Sequence, residues 1–204
     1  MLRIMNRREA IQKTALTLGY AISATAVLGV LKGCKAKPDL VYKPVFFTED
    51  QARTVSELAE IILPKTTTPG AKDVGVPGFI DDLLKEVYTK EEQEDFLIEL
   101  TAFDEEARKD YGDIFGLLEK EDQLAFVKKK HDEAMNSDEA KRPAGFRSYS
   151  KKGEFPFILK MKELTLLGFF TSEPGATQVL QYNQVPGPYQ GCVPLEKVGK
   201  TWAV

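Results

Sequence analysis

From residue 48 onward, apolar side chains recur every three or four positions, and the breaks between runs carry helix start and stop residues. Thr48-Glu49-Asp50-Gln51 reads as a capping box, with Ala52, Val55, Ala59 and Ile62 on one face behind it. Pro64 stops that helix, and Thr66-Thr67-Thr68-Pro69-Gly70 is a loop. A second helix starts at Pro77, its stripe formed by Phe79, Ile80, Leu83, Leu84 and Val87. Thr89-Lys90-Glu91-Glu92, another capping box, opens a longer helix through Phe96, Leu100, Phe103 and Ala107. Gly112 and Gly116 break the next stretch, after which Leu124, Val127, His131 and Met135 repeat at helical spacing. Residues 136–153 are polar, contain Pro143, Gly145 and Gly153, and read as a loop. Phe155 to Phe170 is the most apolar stretch of the body, and Phe157, Ile158, Met161, Leu164, Leu167 and Phe169 suit a central buried helix. The pattern predicts one all-α domain, mainly helical, over residues 46–180.

The carboxyl end breaks this rhythm. Residues 181–204 contain Pro186, Pro188 and Pro194 with Gly187, Gly191 and Gly199, so an extended, irregular tail is expected, in which neither helix nor sheet persists. Yet Tyr182, Val185, Tyr189, Val193, Leu195, Val198 and Trp202 are not the residues of a solvated tail. Such a segment must lie against its own domain or against another chain. Tyr182, Val185, Pro186, Tyr189, Cys192 and Trp202 are the candidate partner-binding residues.

The amino end is equally distinct. A charged start is followed by Thr14 to Leu31, 18 residues without a charge. This order is that of a secretory signal over residues 1–33, with an uncleaved membrane anchor as the alternative. Leu31-Lys32-Gly33-Cys34 looks like a bacterial lipobox, in which the Cys34 thiol accepts lipid and becomes the new first residue; the bland reading is an incidental cysteine. Arg7-Arg8 fits the paired arginines of the folded-export (twin-arginine) route, although ordinary signals also carry adjacent basic residues. Residues 34–45 then form a tether between anchor and body. Localisation in the periplasm or cell envelope, held at the membrane through the lipid, is the expectation.

Charge and composition narrow the chemistry. The 204 residues contain 28 Lys+Arg, 31 Asp+Glu and one His, a net charge of −3 with no basic stripe interleaved with aromatics, so no nucleic-acid partner is expected. Residues 1–33 carry Arg3, Arg7, Arg8, Lys13 and Lys32 against Glu9, and without them the net charge is −7. An acidic body of this kind does not cling to an anionic membrane by charge alone. One His leaves no zinc cluster, and no G-x-G exists to cradle a dinucleotide; no cofactor, metal or catalytic residue is expected in this chain. His131 reads as a partly buried helix histidine rather than a general base. Asp81-Asp82 and Glu91 to Asp95 read as solvated faces at helix starts, and Phe155, Phe157, Phe169 and Phe170 as core. Cys192, unpaired if Cys34 is lipidated, reads either as an intermolecular disulfide or free thiol, or as a buried inert cysteine.

Several segments together resemble a known family. Ile61-Ile62-Leu63-Pro64, Thr68-Pro69-Gly70-Ala71-Lys72-Asp73-Val74-Gly75-Val76 and Phe79-Ile80-Asp81-Asp82 are similar to the small subunit (subunit 3) of membrane-bound gluconate 2-dehydrogenase. So are Leu164 to Gly175 and Val185-Pro186-Gly187-Pro188-Tyr189-Gln190-Gly191-Cys192. The resemblance runs from about residue 46 to the end. It implies a non-catalytic partner of a flavin-dependent sugar or polyol dehydrogenase of the glucose-methanol-choline type. The large subunit would hold FAD and substrate, a cytochrome c subunit often receives the electrons in such complexes, and the small subunit would carry the export signal and take the flavoprotein across with it. A stand-alone envelope lipoprotein that binds carbohydrate or scaffolds other proteins is the alternative, and an independent hydrolase or oxidase the third reading.

Overall fold

A computed structural model describes residues 39–137, 155–185, 187–188 and 191–203. Its helices are α1 (Glu49–Ile62), α2 (Val76–Glu86), α3 (Lys90–Tyr111), α4 (Lys120–Met135), α5 (Phe157–Thr171) and the short α6 (Leu195–Val198). A 3-10 turn, Phe115–Leu117, links α3 to α4, and a π turn, Gly175–Val179, follows α5. Among the described residues there is no strand, and the fold is mainly helical as the pattern predicts. None of the described helices is long and apolar enough to cross a membrane.

Both capping boxes form. Thr48 accepts from Gln51 N–H and Thr89 from Glu92 N–H, while the Gln51 and Glu92 side chains reach back to the cap amides. Gly112, with φ of 91°, ends α3 in the left-handed conformation that glycine adopts without a Cβ penalty. The core joins Val55 and Leu58 of α1, Ile80 and Leu84 of α2, Leu100 of α3 and Met161 and Leu164 of α5, all fully buried or nearly so. An aromatic chain runs through it: Phe96 lies 5.5 Å from Phe157, Phe157 5.4 Å from Phe103, and Phe103 5.0 Å from Phe126. Phe157 and Phe169 are therefore packing residues, whereas Phe170 stands at the surface.

Other placements also differ from the sequence pattern. Leu124 and Met135 are exposed, and α4 buries Gln123, Phe126, Val127 and Ala134 instead. The reason is polar: Gln123 turns inward because its Nε2 donates to the Phe115 carbonyl at 2.9 Å, which rotates the buried face. Val87 leaves the α2 stripe because it is the cap residue after the last turn. Asp81 is buried, not solvated. Its carboxylate accepts from the backbone amides of Val45 (2.6 Å), Phe46 (3.2 Å) and Phe47 (2.8 Å). Residues 40–45, placed in the tether by sequence, are thereby drawn onto the body, where Leu40, Tyr42 and Phe46 pack against the core.

Gly116 does more than break a helix. A Cβ there would lie 2.7 Å from the Thr54 amide nitrogen and 2.9 Å from the Arg53 carbonyl carbon, so the 3-10 turn packs backbone to backbone on α1. Gly116→Ala is expected to cost roughly 1–3 kcal/mol by overpacking, read as a lower urea midpoint at unchanged slope.

Asp104 ties the same junction. It accepts from Thr54 Oγ1 at 2.9 Å and from Phe115 N–H at 3.1 Å. Burial, outweighing these bonds, pushes its pKa up to about 6. Between the unfolded value of 3.8 and about 6 the native state holds more protons than the unfolded one, so stability rises as pH falls through that window. The expected gain from pH 7 to pH 4 at this site is on the order of 2 kcal/mol. Asp104→Asn should flatten that part of the urea-midpoint profile; an unchanged profile would locate the titration elsewhere.

Candidate partner-docking surface

The surface is built outward from the end of α5. Ser172 Oγ donates to the Phe169 carbonyl at 2.6 Å and accepts from Gly175 N–H at 3.1 Å. A Cβ at position 175 would collide with the Phe169 carbonyl oxygen, so only glycine fits this turn. Val179 packs back on the core, and Leu180 N–H donates to the Gly175 carbonyl at 3.1 Å. The Thr171-Ser172-Glu173-Pro174-Gly175 stretch is thus a tight turn that leads the chain out of the core.

Beyond it the tail folds back on itself. Gln181 N–H donates to the Thr201 carbonyl and Ala203 N–H to the Gln181 carbonyl, both at 2.9 Å, forming a bridge between Gln181 and Trp202. Gln181 Nε2 donates to the Val198 carbonyl at 3.1 Å, and Lys200 Nζ to the Gln178 carbonyl at 3.0 Å. The described residues between Gln181 and Trp202 therefore belong to a loop closed at its base, and α6 is one turn of helix within it. The expected extended, irregular tail is what the described residues show: no strand forms, and the regular structure is confined to the one turn of α6 and the isolated Gln181–Trp202 bridge. The closing bonds join positions far apart in sequence, which local composition does not encode.

The loop's apolar side chains face solvent. Leu195 is 84% exposed, Val185 78%, Tyr182 58% and Trp202 47%. Large apolar residues concentrated in one segment of a folded chain mark an interaction site more often than chance exposure. Trp202 pairs with Gln181 at the closed base and Tyr182 follows Gln181 in the chain, while Val185, Cys192 and Leu195 lie along the loop. Cys192 is a free, exposed thiol, so the buried reading is excluded. Leu195, the most exposed of the set, follows Pro194 and escapes sequence selection because its exposure depends on the loop closing behind it. Pro186 and Tyr189 lie outside the described residues, as do Arg7, Arg8 and Cys34.

The remaining candidates resolve into structure. The His131 ring, half-exposed, borders a hollow of about 180 Å³ beside Ile62, Val127, Ile158 and Lys162. Its Nδ1 is 3.9 Å from Asp132 Oδ1, too far for a hydrogen bond. A groove of about 430 Å³ between α3, α4 and the start of α5 is rimmed by Glu99, Glu106 and Glu133. Those carboxylates are already paired, Glu99 with Lys160 at 2.7 Å, and Glu106 and Glu133 with Lys130 at 2.7 and 2.9 Å. Among the described residues no group of three or more His, Cys, Asp or Glu side chains is placed to hold a metal ion.

The segments that carry the resemblance likewise build the fold. Glu60 accepts from the amides of Lys65 (3.1 Å) and Lys72 (3.0 Å), and Asp73 accepts from Gly70 N–H (3.0 Å) and from Lys65 Nζ (3.1 Å). Lys72 Nζ reaches Glu57 at 2.6 Å. Carboxylates at both ends thus fix the connection between α1 and α2, which must cross the surface without regular structure.

A family model described as gluconate 2-dehydrogenase subunit 3 matches residues 49–187, from the first turn of α1 into the C-terminal loop. The chain belongs to that family, whose name describes one subunit of a dehydrogenase complex and implies association with others. No curated protein and no solved structure matches the chain.

Proposed function

We propose that this chain is the non-catalytic small subunit of a membrane-associated, FAD-dependent sugar or polyol dehydrogenase of the glucose-methanol-choline type. Its work is to dock on the flavoprotein, accompany it through folded export, and hold it at the membrane. The observation that carries the reading is the closed loop between Gln181 and Trp202, which with its closing residue offers Tyr182, Val185, Leu195 and Trp202 to solvent on a chain of a dehydrogenase-subunit family. Burying such side chains against a partner is worth about 1.5–3 kcal/mol each before the cost of ordering. In this division of labour FAD and substrate sit in the large subunit, and a cytochrome c subunit takes the electrons.

Folded export explains why the signal belongs on the small subunit. FAD is inserted in the cytoplasm, and threading an unfolded flavoprotein would lose it. Arg7 and Arg8 supply the address, and lipid on Cys34 supplies the periplasmic anchor. Replacing the pair (Arg7→Lys with Arg8→Lys) should strand both this chain and the flavoprotein in the cytoplasm, seen by fractionation. A flavoprotein that still reaches the envelope would refute the shared-passage reading.

A further inference from the structure

We propose that the face formed by residues 39–47 rests on the lipid bilayer, with Val41, Lys43 and Val45 as its contact residues. The inference rests on the reading of Cys34 as the lipid-bearing residue and goes beyond it by assigning which side of the body meets the membrane.

Three observations lead there. The first is the alternation in this segment. Leu40, Tyr42 and Phe46 pack against the core, while Val41 (76%), Lys43 and Val45 (51%) remain exposed. The second is that the segment is pinned rather than slack. Asp81 holds the amides of Val45, Phe46 and Phe47, and the Tyr42 ring lies over Gly78 at the start of α2, within 3.6 Å of where a Cβ would stand.

Five residues therefore separate Cys34 from the first packed side chain, Leu40, and the six steps between the two span at most roughly 20 Å. That leash is shorter than the roughly 40 Å across a domain of this size, so the body cannot turn its far side to the bilayer. The third observation is charge. Residues 35–47 contain Lys35, Lys37 and Lys43 against Asp39, a net +2 within a chain that is −7 from Cys34 onward. An anionic leaflet attracts this strip and repels the rest, which orients the body with the two valines toward the lipid.

The test uses the mature lipid-bearing chain in vesicles of phosphatidylethanolamine and phosphatidylglycerol. In a Cys192→Ser background, single probes are placed through Val41→Cys, Val45→Cys and, as a remote control, Leu124→Cys. Nitroxide lipids labelled at the headgroup should quench the probes at 41 and 45 at least threefold more than the probe at 124. Equal quenching at all three positions, with acylated Cys34 confirmed by intact mass, overturns the proposal while leaving the anchor reading standing. Absence of the acyl mass removes the anchor reading and this inference with it. Probes at 41 and 45 that escape the nitroxide lipids yet stay shielded in the detergent-extracted complex would give the face to a protein partner, again overturning it.

Discussion

A chain ending at Gln181 should lose the flavoprotein proposed as its partner and keep its fold. All of α1 to α5 and the π turn precede that point, and Val179, the last side chain packed on the core, is retained. Far-UV ellipticity should therefore fall only by the small share of α6. Complex formation should weaken at least tenfold and in practice vanish, because the removed segment carries the exposed Tyr182, Leu195 and Trp202. Leu195→Asp is the sharper version: it leaves the closing bonds at Gln181 untouched and places a charge at the most exposed apolar position. If the truncated chain unfolds instead, the loop belongs to the domain's own stability and not to docking.

The second large effect is expected at Asp81. Asp81→Ala leaves three consecutive amides, those of Val45, Phe46 and Phe47, without their acceptor at a partly buried site. Hydrogen bonds to a charged acceptor are worth more than neutral ones, and orphaned buried donors add their desolvation cost, so a loss of about 3 kcal/mol follows. For a chain of this length that lowers Tm by roughly 6–12 °C. Asp81→Asn should fall between, since one carbonyl oxygen still accepts while the amide nitrogen faces donors. A change below about 0.5 kcal/mol in Asp81→Ala would mean that residues 45–47 do not depend on this carboxylate.

Asp81 also shows where sequence reading stops. Its acidic neighbours and its place near a helix start look like any solvated turn, and its partners lie more than thirty residues away. Capping boxes at Thr48 and Thr89 were legible because donor and acceptor are three residues apart and nothing else is needed. The buried helix α5 was legible for a similar reason, as its length and continuous apolarity leave no other place for it.

Helix α4 was half legible. Its helical nature shows in the spacing, but the inward turn of Gln123 toward the Phe115 carbonyl sets a face that Leu124 and Met135 do not share. In the tail, the apolar residues announced a surface-seeking segment, while the bridge at Gln181 and the exposure of Leu195 emerge only in three dimensions. Glu60 and Asp73 carry a similar lesson. Asp73, inside a segment that carries the resemblance, and Glu60, just outside one, hold a connection in place through acceptor bonds to backbone amides several residues away.

The most direct test of the central claim is recovery of this chain from native membranes by an affinity tag, followed by an absorbance spectrum of the eluate. A subunit that docks through the 182–201 loop should elute with a larger polypeptide in near-equal amount and with the bands of bound flavin. Elution of the intact chain alone, without flavin in any fraction, would contradict it.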